Sequence, residues 1–332
     1  MAITSTGFEA PATAREGLKP SVYDNILLVG RRDCPLLNLI GSETITNPIR
    51  HSWHIDTLRD PINEPKEEIH ELVSGTKSTV QKNSNAVQIL TTVWEVSESM
   101  EKAQEYGKQN PKDREKGKRA IEHANNLEYA LFGLGHDTDA KVSVFTAPLE
   151  RANETDKPIS AGFFHFLAKN DTTFTNGRRG NIFAFDNAQN WTGAEEEMTE
   201  EMFCEILQSI WDSGAQPKDV FVGAALKRRI NAWRAKNNVT NFSSKDANLI
   251  VDTIETDFGR VRVHLHRYLS AAHGLGDVLL AGDFEYMKNG LYIPTNHKEV
   301  PTSRTSIMGR FYTEFCLCVK NADAFAIGVG LK

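Results

Sequence analysis

Histidine supplies the first candidates for chemistry in this chain. His51 and His54 lie three residues apart and His70 follows, and a cytosolic metal-dependent hydrolase built there would need two imidazoles and a carboxylate converging on one ion. On a strand, a spacing of three sends the two rings to opposite faces. His264 and His266 would share a strand face but have no carboxylate close in sequence, so both pairs read as exposed strand histidines. Acidic runs occur at Glu67-Glu68 with Glu71 and at Glu195 to Glu197 with Glu200 and Glu201. They fall in loops or at a helix start, where solvation or dipole pairing accounts for them without a pocket to shift a pKa. Gly107-Lys108 and Gly117-Lys118 are not followed by Ser or Thr, and there is no His-Glu-x-x-His and no Gly-x-Ser-x-Gly. Neither an enzyme nor a cofactor is expected.

Residues suited to contact rather than catalysis are easier to find. Trp53 and Trp94 sit on two strand-like stretches flanking a polar connection, where exposed tryptophan asks for an interface; the alternative is packing on each other or at the base of the hairpin. Arg59, Asp60, Lys66, Glu67, Glu68 and Lys77 lie in the connection itself. Lys227, Arg228, Arg229, Arg234 and Lys236 form a basic helix face without the aromatic interleaving of a nucleic-acid site, so Arg228 and Arg229 are read as solvated or as subunit contacts.

The elements that position these residues make an α+β chain. Its 332 residues, 40% hydrophobic, can build about two domains, and a net charge of -6 argues against a broad basic face gripping nucleic acid. Cys34, Cys204, Cys316 and Cys318 include no Cys-x-x-Cys pair and read as reduced core or strand residues. Neither a signal peptide nor a membrane span is expected.

The strongest element is the helix over 110–135, capped by Asn110, with Pro111 in its first turn and Gly133 and Gly135 at its end. Ala120, Ala124, Leu127, Leu131 and Leu134 form its stripe, on a rod of roughly 33 Å. Residues 1–20 read as an arm, and Val22, Ile26 and Val29 could line a short helix that Pro35 stops. Residues 48–58 and 86–96 read as the two limbs of a hairpin, one presenting Ile49, Trp53 and Ile55, the other Val87, Ile89 and Val93. About 27 polar residues join the limbs, an uncommon length inside a compact domain, so the hairpin is expected to project over a neighbouring chain. Later come a helix capped by Thr199 with Phe203, Ile206, Leu207, Ile210 and Trp211 inward, a strand at 219–223, and a helix with Leu226, Ile230 and Trp233 inward. A hairpin about 257–259 has Val261, Val263 and Leu265 on one face. Asn289-Gly290 signals a turn, and Phe311, Thr313, Phe315, Leu317 and Val319 alternate along a last long strand.

Five stretches carry a resemblance in the same order: YDNILLVGRRDCPLLNLIG, NPIRHSWHIDTLRDP, EHANNLEYALFG, QPKDVFVGAALKRRINAW, and the sequence from DFGRVRVHLHRYL to DVLLAGDFEYMKNGLYI. On these the chain resembles the major capsid (major head) proteins of tailed bacteriophages. The resemblance implies an arm with a first short helix over 1–43, an extension loop over 44–96, a peripheral domain over 97–150 and 291–332 with its spine helix at 111–133, and an axial domain over 151–290. It implies a virion structural protein that catalyses nothing, made in the bacterial host cytoplasm. Such a protein self-assembles into pentamers and hexamers of an icosahedral head around double-stranded DNA, held without sequence-specific contact. Its implied partners are copies of itself, a portal protein, possible decoration proteins and, since the sequence opens directly on the arm, a separate scaffolding protein; no membrane is involved. Some relatives crosslink a loop lysine to a neighbour's asparagine, and Lys66, Lys77 and Lys82 lie in the corresponding loop. A cellular nanocompartment shell of the same fold, enclosing cargo protein, is the alternative within the fold.

Overall fold

The long helix forms where the sequence starts and stops it. A computed structural model describes residues 34–56, 61–70, 80–102, 110–169, 197–237 and 253–331. In it α3 spans Pro111–Leu131, and the Asn110 side chain accepts a hydrogen bond from the Lys112 amide. Gly133, at φ 74°, turns the chain out of the rod. The expected stripe is buried at Leu127, Leu131 and Leu134 and half-buried at Ala120 and Ala124, and two polar side chains, His123 and Glu128, are buried beside it.

This helix lies across a four-stranded sheet in the order β1 (Gly41–Thr44), β9 (Met287–Val300), β10 (Ser306–Val319) and β4 (Gln88–Ser97). β1 runs parallel to β9, while β9 and β4 pair antiparallel with β10. The expected alternation of Phe311 through Val319 is there, although from Thr313 onward β10 is buried on both faces. A five-stranded sheet in the order β11 (Phe325–Gly328), β8 (Leu279–Gly282), β5 (Asp219–Val222), β7 (Gly259–Leu265) and β6 (Thr253–Thr256) forms the second layer system. Packed on it is α6 (Glu200–Asp212), capped by Thr199 and burying Phe203, Ile206, Leu207 and Ile210. α7 (Ala224–Asn237) leaves β5 directly and buries Leu226 and Ile230. The short helices α1 (Pro35–Leu39), α2 (Glu98–Lys102), α4 (Ala140–Ser143) and α5 (Phe163–Lys169) complete the described chain, with α5 presenting Phe163, Phe164, Phe166 and Leu167 to the core.

Several sequence-based expectations are corrected. Pro35 opens a helix instead of stopping one, because its fixed φ suits the first turn. The return limb of the ribbon is β3 (Gln81–Ala86), which pairs with β2 (Arg50–Ile55) from Arg50↔Ala86 to Ile55↔Gln81. The stretch expected as that limb belongs to β4 and lies on β10, with Trp94 and Val96 inward and Val93 48% exposed. Val87, just before β4, is buried as expected, but within β4 the core takes Trp94 and Val96, on the face opposite to Val93, where Ala120 of α3 packs. Asn289-Gly290 is not a turn but lies inside β9: Gly290 pairs with Glu43 and Cys316, and a Cβ there would meet Ile45 Cγ2 at 3.0 Å and both Cys316 and Cys318 Sγ at 3.1 Å. Trp211 and Leu265, expected inside, are 48% and 53% exposed. Residues 325–328, expected with the spine helix, pair with β8 in the five-stranded sheet. The arm over 1–20 and the helix expected around Val22, Ile26 and Val29 lie outside the described residues.

Candidate assembly interface

An assembly surface needs a rigid frame, and buried polar contacts supply three pins for it. At the first, α3 meets both α1 and the end of the five-stranded sheet. Glu128, 1% exposed, accepts hydrogen bonds from the Leu36 amide at 3.3 Å and the Leu37 amide at 3.4 Å. Its Oε1 lies 2.5 Å from His266 Nε2. The Tyr268 amide donates to His266 Nδ1 at 3.2 Å, so the ring proton sits on Nε2 and is donated to Glu128. His266 is thus a buried structural residue, not an exposed strand histidine.

The second pin is Asp219 at the start of β5. Its carboxylate takes Arg262 Nε and His264 Nε2 on Oδ1, both at 2.8 Å. Burial alone would raise this carboxyl, but its hydrogen bonds from His264 and Arg262, together with their charges, hold it below the ordinary carboxylate range. This is the carboxylate that His264 lacks in sequence, brought to it by parallel pairing of β5 with β7.

The third pin fastens the ribbon. Trp53 is 8% exposed and donates its indole N–H to the Val319 carbonyl at 2.8 Å, while its ring lies 5.5 Å from Phe166. Buried Asn85, across the ribbon, donates to Ser160 Oγ at 3.0 Å and to the Leu317 carbonyl at 2.8 Å. Trp53 is therefore an anchor at the base of the hairpin and not an exposed contact. Trp94 is likewise buried, at 2%, beneath Ala120 of α3, and donates its N–H to His297 Nε2 at 3.0 Å. Both tryptophans follow a common rule, that a buried indole is placed where its N–H finds an acceptor.

The Trp94 contact carries a pH dependence. Burial, with Lys116 nearby, lowers the His297 pKa from its ordinary 6.5, and burial lowers that of His123 also. His123 stands between Thr92 Oγ1 at 2.9 Å and Thr313 Oγ1 at 2.8 Å. A depressed folded-state pKa means that this stability is fully present above about pH 6.5 and is lost as pH falls through the folded value. The thermal midpoint is expected to fall on acidification below about pH 6.5, and to fall less in His297→Gln. An identical pH profile in that variant contradicts the assignment.

The remaining candidates fall into two groups. Lys66, Glu67 and Glu68 are exposed, in a segment over 61–70 with no strand partner, where Lys66 Nζ pairs with Glu64 at 2.8 Å. His70 is exposed there too, far in sequence from His51 and held to the Glu67 carbonyl at 3.0 Å. Arg228 is exposed and lines a groove of about 960 Å³ with Lys141 and Asp277, whereas Arg229 is paired with Glu197. Lys227 is not on a solvated face: it is buried and donates to the Val263 carbonyl at 2.9 Å. Arg59, Asp60 and Lys77 lie outside the described residues. Sequence reasoning missed that Trp211 is exposed, its ring 6.3 Å from that of half-buried Phe258. Trp211 follows a helical apolar spacing, and nothing in that spacing marks it as outward.

Solved structures share this architecture across the whole chain. A chain of Gordonia phage Cozz aligns with a TM-score of 0.60 at 12% identity, covering 98% of this chain and 96% of that one. One from the capsid of native GTA particle computed with C5 symmetry aligns at 0.58 and 11% identity, covering 97% and 98%. One from the Cyanophage A-1(L) capsid asymmetric unit aligns at 0.58 and 10% identity, also covering 97% and 98%. No curated protein matches the chain. The fold is that of phage major capsid proteins. Residues 2–332 match the model of the SU10 major capsid protein family, and the chain belongs to that family. It is a structural shell protein of a phage head, not an enzyme.

Proposed function

We propose that copies of this chain close an icosahedral head as pentamers and hexamers, with the ribbon lying on a neighbouring subunit, and that the head encloses double-stranded DNA. The observation that carries this is the segment over 61–70. Every residue in it is exposed, Ile62 at 59% and Ile69 at 93%, and the β2–β3 ladder beneath it has six residue pairs. A two-stranded ribbon is marginal by itself, and apolar side chains at its tip are stabilised only by a surface supplied from outside. Trp211, Leu265 and Arg228 are further contact candidates on the five-stranded layer, for the same reason of exposure.

Repeated modest contacts of this kind close a shell without a large apolar patch on the free subunit. A separately supplied scaffolding protein, a portal protein and decoration proteins are the proposed partners, and the bacterial host cytoplasm is the proposed place of synthesis. A net charge of -6 suits a container whose wall does not bind packaged DNA tightly. Particles purified from infected cells are expected to hold nuclease-protected double-stranded DNA; particles holding a protein cargo and no DNA would replace this proposal with a nanocompartment shell.

A further inference from the structure

We propose that Glu43, His51 and Cys318 form a binding site for a zinc-like divalent transition metal at the base of the ribbon. Glu43 stands on β1, His51 on β2 and Cys318 on β10, and one ligand atom from each lies within 4.8 Å of the others. His51 Nε2 and Glu43 Oε1 are 3.6 Å apart. Two ligands about 2.0 to 2.1 Å from one ion at a tetrahedral angle stand roughly 3.4 Å apart, so a small closing movement suffices.

The donor set is a thiol, an imidazole and a carboxylate, the mixture that suits zinc rather than magnesium or calcium. On binding, the Cys318 thiol gives its proton to solvent and the sulfur takes the ion as thiolate. The charges then close: the thiolate and carboxylate balance a divalent ion, and the imidazole binds neutral. Lys320 holds the other carboxylate oxygen, Glu43 Oε2, at 2.6 Å and so orients Oε1 toward His51. The His51 ring is stacked on the anchored Trp53 at 6.0 Å.

Backbone arrangement keeps the site open. Gly290 lies between Glu43 and Cys316 in the ladder, and its missing Cβ leaves room for Cys316 and Cys318 side by side, their sulfurs 3.8 Å apart. Cys318 is fully buried, whereas the Glu43 and His51 side chains are 26% and 25% exposed, so a water can complete a four-coordinate ion from the solvent side. A metal here would tie the ribbon's first strand to the four-stranded sheet.

The test is equilibrium dialysis of the purified full chain against zinc, and against cobalt as a spectroscopic probe, followed by desalting. One metal per chain is expected, with thiolate-to-cobalt charge-transfer absorption and a higher thermal midpoint that a chelator reverses. Cys318→Ala should abolish the absorption. His51→Gln, at a half-buried position compatible with folding, should reduce retention at least tenfold, and Cys34→Ala should leave it unchanged. No retained metal in the folded wild type, or unchanged retention in folded His51→Gln and Cys318→Ala, overturns the site.

Discussion

Ala124→Pro is expected to abolish both cooperative folding and shell formation. Ala124 lies well inside α3, so proline there removes the hydrogen bond to the carbonyl four residues back and drives its ring into that turn, at a cost of about 3 kcal/mol or more. Against a total stability of roughly 5 to 15 kcal/mol that is already a large fraction. The damage also spreads, because α3 covers β4: Ala120, one turn earlier, closes the cluster of Trp94, Val96 and Phe311. Circular dichroism with thermal melting checks it, with Ala124→Gly as a control expected to cost only about 1 kcal/mol. A proline variant that melts cooperatively at the wild-type temperature would show that the rod does not hold the sheet.

Glu128→Ala should come close to the same severity by a different route. The substitution leaves buried His266 and the Leu36 and Leu37 amides without the acceptor they now share. Each buried donor left without its acceptor typically costs about 1 to 3 kcal/mol, because it has already given up water, so losing the acceptor shared by three donors is expected to cost about 3 kcal/mol or more. Urea unfolding measures the loss directly, and Glu128→Gln, which keeps an acceptor oxygen, should recover part of it. A loss within about 0.5 kcal/mol, the range of an ordinary surface substitution, contradicts the role assigned to the pin.

These two residues also mark how far the sequence could be read. Ala124 sits on a helix whose cap, proline, glycines and stripe are all local signals, and each of them is realised within a residue or two. Glu128 gave no signal, because its partners are 92 and 138 residues away and only tertiary pairing brings them to it. The hairpin failed for a related reason. The alternation over 86–96 was real, but periodicity does not say which sheet receives a strand, and β10 offered ten pairing positions that the ribbon did not. Of the two readings of the tryptophans, contact or packing at the hairpin base, Trp53 takes the second and Trp94 neither, because a polar neighbourhood in sequence became an interior in space, with the Val319 carbonyl and the His297 ring supplying acceptors from far along the chain. Asn289-Gly290 shows the same limit from the other side: glycine marked a close approach of side chains across the sheet, not a reversal of the chain. The metal-dependent enzyme drawn from His51, His54 and His70 fails on family membership, and the ligands now grouped around His51 come from strands that sequence proximity does not connect.

The ribbon remains the element on which the function turns. In the β2–β3 ladder Ile55 faces Gln81 as the last pair, so residues 56–80 can be replaced by Asn-Gly, a two-residue turn that matches the twist of a hairpin. The decisive measurement is electron microscopy of this shortened chain beside the full one, both purified with the scaffolding protein if one is required, and both checked by thermal melting. The full chain should form closed shells, and the shortened chain should melt as a folded subunit yet close none. Shells of normal form from the shortened chain, or a full chain that stays strictly monomeric, would contradict the account.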